Sequence, residues 1–570
     1  MYGGQALLSV VERAKVDTIV SSPGSEWPPV WDALAERAGQ DGGPKFINCR
    51  HEAVAVGVAA GYTMVTGGPQ MVLLHATAGP LNAAMMLRAA YQERVPMVIC
   101  TGESLAFGED TSLVDPGVQW IHDLCDLGSA ADLMRRCVKW SDRILSASLL
   151  VPSLERAFQI AMEPPAGPVL LSIPFELLME ELQLPEYRRS NEAVRPVDLA
   201  PDVIGKAARA LIEAEYPVLI TENLGRNPAS VTAVTELCEM LSIPVMESYR
   251  PACVNFPREH PLYLNYDRKR VDAADLVVAA GAVTPWYPAH KGPGATARVI
   301  FIDNEFPQSR LPYWGYETDL ALVAPTNVTL EQLVKAVRES GSLASRKARY
   351  MERSSEITKQ HEEQETTVHR QAQEHAQDTP IDPRWLCQVL EENLPEDVVI
   401  VEETTTHRTL IQNTIRRSKP QSHFARITGG LGVGLSYGLG VKLAMQDRPV
   451  FVLLGDGAFH YNAAPACLGV SQEYGLPLGI VVFNNQRYLS QERSLLKFFP
   501  GGGAERTGIH PGASIAPSPD YRLFADAYGG CGIKVERPEA IADAVDQSLR
   551  QMGEGKLALL DVVLSDYIAR

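Results

Sequence analysis

An acidic residue between two glycines follows one of the most apolar segments of the chain. The segment PVFVLL (449–454) runs directly into Gly455-Asp456-Gly457. Glycines at the carboxyl end of a strand let a phosphate approach the backbone, and the start of a following helix offers unpaired N–H groups. We therefore expect Gly455, Gly457 and Ala458 to contact a phosphate-bearing ligand, although such tripeptides also build ordinary turns.

Two asparagines end the next apolar segment. LGIVVF (478–483) leads into Asn484-Asn485, which places Asn485 29 positions after Asp456 (485 − 456). A carboxylate, an asparagine amide oxygen and a backbone carbonyl are hard oxygen ligands of the kind that Mg²⁺ prefers, with part of its shell left for phosphate. The two segments together indicate a metal-borne phosphate site.

Two other places carry polar side chains next to a predicted strand. Glu52 lies just after the strand-like residues 45–48, at the start of a helix of small residues. A glutamate in the first turn also interacts favourably with the helix dipole, which is its ordinary role. Thr405 and Thr406 follow the apolar segment VVIVEE, where their hydroxyls could reach a diphosphate or cap a helix.

These residues need elements that bring them together, and the apolar pattern predicts what those elements are. Short runs of Val, Ile and Leu alternate with helical stretches, which is typical of parallel sheets covered on both faces. The fold class is therefore α/β, with three doubly wound parallel-sheet domains at 1–185, 186–340 and 379–570, and a solvated linker helix at 341–378. The predicted strands are 17–22, 71–75, 97–101, 168–173, 217–221, 276–281, 298–303, 398–402, 449–454, 478–484 and 557–564, and a helix is predicted over 462–474.

Composition excludes several classes of protein. The net charge of -17 over 570 residues would repel nucleic acid. We find no uncharged apolar run of about 18 residues, so no membrane span is expected. The nine cysteines lack C-x-x-C spacing, which indicates reduced thiols and a cytoplasmic protein.

With these motifs the whole chain resembles the thiamine diphosphate-dependent decarboxylase and acetolactate synthase superfamily, and within it the benzoylformate decarboxylases. Three further segments carry the likeness: Ser-Pro-Gly-Ser at 22–25, Leu-His-Ala-Thr-Ala-Gly at 74–79, and 281–294 with His290. The resemblance implies pyrimidine-binding, middle and diphosphate-binding domains in that order. Residues 104–124 and the stretch after Asn485 depart from the decarboxylase pattern, at places where a substrate pocket would be built.

The resemblance also implies how the cofactor is held. Glu52 would hydrogen-bond N1′ of the aminopyrimidine and so activate the cofactor. Asp456, the side chain of Asn485 and the main-chain oxygen of Arg487 would bind Mg²⁺. The remaining cofactor contacts would come from the diphosphate-binding domain: Thr405, Thr406, Gly429 through its carbonyl, and Leu431 beneath the bent cofactor.

Three residues would act on the substrate by the same resemblance. Ser25 would hold the substrate carboxylate, because a serine hydroxyl can donate a hydrogen bond to it. His75 and His290 would move protons, because histidine exchanges a proton near neutral pH. Each residue also has an ordinary structural alternative: a turn for Ser25, a buried hydrogen-bonded histidine for His75, and a Pro- and Gly-rich loop for His290.

The implied reaction is the non-oxidative decarboxylation of a 2-oxo acid to an aldehyde through an enamine. The alternative is a carboligase or acyloin lyase, which shares every step up to the enamine. A cofactor-binding scaffold without turnover would be expected to lack Glu52, and a dinucleotide-binding reading of 429–434 lacks the acidic residue that should follow. The expected cofactors are thiamine diphosphate and Mg²⁺ without FAD, in a dimer or dimer of dimers whose subunits share the site.

Overall fold

The chain contains three six-stranded parallel sheets flanked by helices. The computed structural model describes residues 1–22, 24–38, 43–103, 127–182, 198–312, 314–425 and 430–566. The central strands are rich in Val, Ile and Leu and are buried along their length, as expected of strands covered on both faces. The predicted fold class is confirmed.

The first domain orders its strands β2-β1-β3-β4-β6-β5. Its strands are β1 Thr18–Ser21, β2 Lys45–Asn48, β3 Gln70–Leu74, β4 Met97–Glu103, β5 Trp140–Arg143 and β6 Pro168–Pro174. Its helices are α1 Gly3–Arg13, α2 Pro28–Glu36, α3 Glu52–Thr66, α4 Ala78–Gln92, α5 Ala130–Leu133, α6 Ala147–Met162 and α7 Phe175–Met179.

The middle domain orders its strands β12-β11-β10-β7-β8-β9. Its strands are β7 Pro217–Thr221, β8 Val245–Glu247, β9 Tyr263–Leu264, β10 Leu276–Ala280, β11 Arg298–Asp303 and β12 Leu320–Val323. Its helices are α8 Pro201–Glu213, a 3₁₀ turn Leu224–Arg226, α9 Pro228–Leu241, α10 Arg268–Ala273 and α11 Thr326–Glu339.

The crevice between β7 and β10, where the strand order reverses, contains a buried carboxylate. Glu222 accepts hydrogen bonds from the amides of Val283 (2.7 Å) and Thr284 (2.9 Å) and from the hydroxyl of Ser248 (2.8 Å). Such crevices are where open α/β sheets usually bind ligands. In the middle domain the Glu222 carboxylate accepts the hydrogen bonds that a ligand in this crevice could otherwise accept.

The helix predicted as a solvated linker is α12, Leu343–Gln373; most of its side chains are exposed or partly exposed, and one side packs on the middle domain. Tyr350, Arg353 and Ile357 recur on one side and are buried against the middle domain. The Arg353 guanidinium donates to the carbonyls of Ser242 (2.9 Å) and Ala214 (3.0 Å). Tyr350 and Ile357 join the apolar core of the middle domain, with the buried Arg353 between them, so the sequence shows no wide apolar stripe.

The third domain orders its strands β14-β13-β15-β16-β18-β17. Its strands are β13 Val399–Glu403, β14 His423–Ala425, β15 Val450–Gly455, β16 Gly479–Asn484, β17 Cys531–Val535 and β18 Ala558–Val563. Its helices are α13 Pro383–Asn393, α14 Arg408–Thr414, α15 Gly434–Ala444, α16 Asp456–Tyr461, α17 Ala464–Tyr474, α18 Leu489–Phe498, α19 Gly503–Thr507, α20 Arg522–Ala527, a 3₁₀ turn Pro538–Ala540 and α21 Ile541–Gly553. The predicted helix at 462–474 thus begins at Ala464, and a separate short helix precedes it.

Helices α3 and α15 join the first and third domains in one continuous apolar core. They approach so closely that glycine is required at the contact. A Cβ on Gly440 would overlap the carbonyl oxygen of Val58, and a Cβ on Gly61 would overlap that of Tyr437. This contact fixes where α3, and Glu52 at its start, lies relative to the third domain.

No helix in the described part of the chain is both long and apolar enough to cross a membrane.

We expect Gly440→Ala to destabilise the protein by about 1–3 kcal/mol, because the added methyl meets backbone that cannot move aside. Gly205→Ala is the control, since the described neighbour that a Cβ there would meet is the end of the flexible Arg209 side chain, at 3.6 Å. Removing a helix-interior glycine at that open position should be neutral or stabilising by up to about 1 kcal/mol. Thermal and urea unfolding measure both, and equal effects would contradict the proposed contact.

Candidate active site

Asp456 occupies the carboxyl end of β15 and begins α16. Its side chain is 3% exposed, and its Oδ1 accepts a hydrogen bond from the amide of Gly457 at 2.7 Å. Its Oδ2 is buried with no hydrogen-bond partner among the described residues. A buried carboxylate oxygen without a donor suits a cation ligand.

The loop after β16 wraps around the same carboxylate. Strands β15 and β16 are neighbours, with Gly455 opposite Phe483, so their carboxyl ends meet at one edge of the sheet. Gln486 has a positive φ of 58°, and the backbone amides of Gln486 and Arg487 lie close enough to Asp456 to act against the rise in its pKa. The structure therefore brings Asp456 together with the loop that carries Asn485 and Arg487.

Side chains around this loop are held by other partners. Asn484 donates to Asp561 Oδ1 at 2.7 Å, whereas Asn485 is buried directly after it. The Arg487 guanidinium pairs with Glu492 (3.2 Å) and Asp566 (3.1 Å). The main-chain oxygen of Arg487 is left as its possible metal ligand, which is the atom that the family resemblance implies.

The pKa of Asp456 is raised from 3.8 to about 6, mainly because burial disfavours the charged carboxylate; the amides of Gly457, Gln486 and Arg487 act against this rise, and the nearby charge of Asp561 adds to it. A buried carboxylate is costly without a compensating charge. A divalent cation would supply that charge, so the oxygen ligands available at this site fit Mg²⁺.

The glycines around Asp456 have different reasons for being glycine. A Cβ on Gly455 would meet no atom of the described residues within 4 Å, so the backbone there is open to a ligand on that side. A Cβ on Gly457 would lie 2.7 Å from the ring of Tyr488, so this glycine is required by the protein's own packing. Ala458 is half-buried, and its carbonyl accepts from Asn462 at 2.9 Å. Phosphate contact at these positions stays a prediction.

Thr405 and Thr406 follow β13 and line a cavity of about 450 Å³. Ser490 and Arg493, from the start of α18, line the same cavity. Thr405 is exposed and Thr406 half-buried, so neither hydroxyl is sealed into the core. This placement leaves both side chains accessible to a ligand.

A second buried carboxylate, which the sequence analysis missed, holds the loop before α15. Glu403 accepts from the amides of Gly432 (2.8 Å) and Gly434 (2.7 Å) and from Asn462 Nδ2 (3.0 Å). Gly432 has a φ of 77°, a left-handed conformation that glycine adopts without strain. Leu431, half-buried, lies at the start of this anchored loop, whereas Gly429 lies outside the described residues. The acidic end of an otherwise apolar strand was the available signal for Glu403.

Glu52 begins α3, as predicted, and His51 caps the helix by accepting from the amide of Ala53 at 3.1 Å. The Glu52 carboxylate is half-buried and accepts from Asn82 Nδ2 of α4 at 3.2 Å. Asn82 was not identified from the sequence, because nothing in the pattern pairs these two helices. Its hydrogen bond links the Glu52 carboxylate to α4.

His75 lies beside Glu52 at the end of β3. A Cβ on Gly79 would lie 3.5 Å from both Glu52 Cγ and His75 Cβ, so the two side chains flank this glycine. Nδ1 of His75 is 2.7 Å from Oε1 of Glu26, another residue that sequence reasoning missed. Ser25, exposed, precedes Glu26 in the same turn. The first domain thus gathers a carboxylate, an imidazole and a hydroxyl at one sheet edge.

His290 lies apart from this group. It is exposed in a loop of the middle domain, where Trp286 Nε1 donates to the Ala289 carbonyl at 3.1 Å. Among the contacts of the residues described, none links His290 to Glu52 or His75. The proton-moving role of His290 stays a prediction. Residues 104–124, where the sequence departs from the decarboxylase pattern, lie outside the described residues.

Three sequence models of one family match the three domains. Residues 1–121 match the thiamine pyrophosphate enzyme N-terminal TPP binding domain, 204–333 the central domain and 403–562 the C-terminal TPP binding domain. The chain belongs to the thiamine pyrophosphate enzyme family. Asp456 and Asn485 fall within the C-terminal match, and Glu52 and His75 within the N-terminal match.

Known relatives span nearly the whole chain. Benzoylformate decarboxylase of Pseudomonas aeruginosa is 26% identical and covers 95% of this chain and 96% of its own length. Acetolactate synthase isozyme 3 large subunit of Escherichia coli is 24% identical over 99% of this chain and 95% of its own. The crystal structure of benzoylformate decarboxylase from Polynucleobacter necessarius superimposes with a TM-score of 0.79 at 22% identity, covering 100% and 99% of the two chains, which shows a common fold.

We expect metal-free Asp456→Asn to melt at a higher temperature than the wild type at pH 7.5. Because the folded pKa of Asp456 is raised from 3.8 to about 6, its contribution to stability is present below pH 4 and is lost as the pH rises through 6. The difference should reach on the order of 3 kcal/mol above pH 6 and vanish near pH 4.

Differential scanning fluorimetry in EDTA between pH 4 and 8 measures this, with the exposed Asp546→Asn as control. Mg²⁺ with thiamine diphosphate should then stabilise the wild type but not Asp456→Asn. Equal melting temperatures for the two proteins at every pH would contradict the unbalanced charge.

Proposed function

We propose that the protein is a thiamine diphosphate-dependent lyase that decarboxylates a 2-oxo acid to an aldehyde without oxidation. The observation that carries this proposal is the pairing of Glu52 with His75 across Gly79. A carboxylate able to activate the cofactor thus lies beside an imidazole able to exchange a proton. The benzoylformate decarboxylase relative supports the same reaction class.

The proposal assigns cofactor binding to two sets of residues. Asp456, Asn485 and the main chain of Arg487 would hold Mg²⁺ and through it the diphosphate, assisted by Thr405 and Thr406. Glu52 would hold a proton at N1′ of the aminopyrimidine. Bound thiamine diphosphate supplies a carbon nucleophile and an electron sink for the pair released when CO₂ leaves.

Two side chains of the first domain would act on the substrate. Ser25 would donate its hydroxyl to the substrate carboxylate. After the bond to CO₂ breaks, His75 would deliver the proton that the former carbonyl carbon takes up. His290 would serve a second proton transfer. The products are one CO₂ and one aldehyde.

The likeness to acetolactate synthase over 99% of the chain favours a second candidate, a carboligase or acyloin lyase. Both reactions require the residues that bind and activate the cofactor. They differ at the enamine, which the decarboxylase protonates, whereas a carboligase adds it to a second carbonyl compound and an acyloin lyase forms it by cleaving an acyloin. Incubation with Mg²⁺, thiamine diphosphate and aromatic and aliphatic 2-oxo acids distinguishes them. CO₂ with aldehyde supports the decarboxylase, and acyloin cleavage without CO₂ from any acid excludes it.

We expect Glu52→Gln to lower turnover by about 10²- to 10⁴-fold, because the amide cannot exchange a proton with N1′. Cofactor uptake, measured by calorimetry with Mg²⁺, should persist, since the diphosphate is held by other residues. Glu352→Gln, on the exposed face of α12, is the matched control. Unchanged turnover in Glu52→Gln would remove this residue as the activating group.

The protein is proposed to act as a dimer or dimer of dimers, with Glu52 of one copy serving the diphosphate end of another. Leu81 and Met85 flank Asn82 on α4 and are 47% and 44% exposed. This apolar surface beside Glu52 suits a second copy as its partner. Light scattering should give at least twice the chain mass of 62.3 kDa. A monomer that turns over substrate would exclude a shared site.

A further inference from the structure

Both oxygens of the Glu26 carboxylate lie within hydrogen-bond distance of Nδ1 of His75. Its Oε1 lies 2.7 Å and its Oε2 3.0 Å from Nδ1. The Glu26 side chain is 13% exposed, whereas that of His75 is 41% exposed. The carboxylate therefore lies on the protein side of the ring, and the rest of the ring faces outward.

The surrounding backbone is shaped to admit this carboxylate. A Cβ on Gly24 would overlap Oε2 of Glu26, and a Cβ on Gly102 would overlap its Cβ. Both positions are glycine where the Glu26 side chain passes. Any side chain at either place would displace the carboxylate from the imidazole.

The backbone on either side of His75 is fixed as well. The buried indole of Trp27 donates to the carbonyl of Leu74 at 2.9 Å. The hydroxyl of Thr101 lies 3.0 Å from the carbonyl of His75 and 2.9 Å from that of Ala76, and donates to them. Trp27 follows Glu26 directly, so one turn holds both the ring and the backbone of the histidine.

A carboxylate at Nδ1 has a defined chemical effect. It accepts the Nδ1 hydrogen, which leaves Nε2 as the basic nitrogen, and it stabilises the imidazolium that forms when Nε2 takes a proton. Glu52 is the other carboxylate beside His75, across Gly79, and its partner is Asn82. The two carboxylates therefore have separate partners and separate tasks.

We propose that Glu26 is a positioning residue for His75: it fixes the ring orientation and the Nδ1–H tautomer, so that Nε2 exchanges the proton in turnover. The inference rests on the proposed function, in which His75 moves a proton on the substrate. Glu26 itself acts through the imidazole.

A double-mutant cycle tests whether Glu26 acts through His75. Glu26→Gln keeps the size and one acceptor oxygen but removes the charge. In the holoenzyme it should lower kcat for CO₂ release by about 10- to 100-fold and change KM less than about threefold. In the His75→Ala background the same change should alter kcat less than about twofold, because the group it acts on is gone.

Two further variants accompany the cycle. Glu26→Asp keeps the charge and should recover part of the lost kcat. Glu12→Gln, on the exposed face of α1, should leave kcat unchanged. An equal loss from Glu26→Gln with and without His75, or no loss in the wild-type background, would overturn the proposal.

A spectroscopic measurement decides the same point independently of turnover. In protein labelled with ¹⁵N-histidine and loaded with Mg²⁺ and thiamine diphosphate, the His75 signals are identified by their loss in His75→Ala. We expect the Nδ1–H tautomer in the wild type and a shift toward Nε2–H in Glu26→Gln. Identical His75 signals in both proteins would overturn the inference, whereas absence of CO₂ release with the expected shift would reject only the proposed function.

Discussion

The close contact of α3 with α15 is the constraint on which the arrangement of the site depends. Gly440 and Gly61 bring one helix backbone against the other, and few side chains separate the two domains at this point. Glu52 stands at the start of α3, and the loop held by Glu403 leads into α15. The same contact thus sets the position of both elements and leaves little freedom to either.

Carboxylates recur at the carboxyl edges of the sheets, and each is treated differently. Glu403 is satisfied by two amides and an asparagine, and Glu222 by two amides and a serine. Among the residues that the structure describes, none donates a hydrogen bond to Oδ2 of Asp456. Because a buried charge must be balanced, satisfied carboxylates anchor loops, whereas the incompletely satisfied one is suited to take up a cation.

The sequence predicted the features that depend on neighbouring residues. Long apolar strands, the glycines around Asp456 and the start of α3 at Glu52 are local patterns, and the structure has them where expected. The strands that were not predicted are short or lie at sheet edges, such as β5, β14 and β17, where burial on both faces is not required.

Contacts between distant segments could not be predicted in this way. Asn82 and Glu52 are 30 positions apart, and Glu26 and His75 are 49 apart. The charged side chain of Arg353 in α12 is buried because it donates hydrogen bonds to backbone carbonyls, and an apolar pattern cannot predict such a contact. The hydrogen-bond partner of a single polar residue of this kind is known only from the folded structure.

The packing of α12 against the middle domain makes it a rigid spacer. Its 31 residues span about 46 Å at 1.5 Å per residue. Each inserted or deleted residue would turn everything beyond it by about 100° around the helix axis. An insertion or deletion within α12 would therefore change the direction in which the chain leaves the helix toward the third domain. The same change in a surface loop would be tolerated more readily.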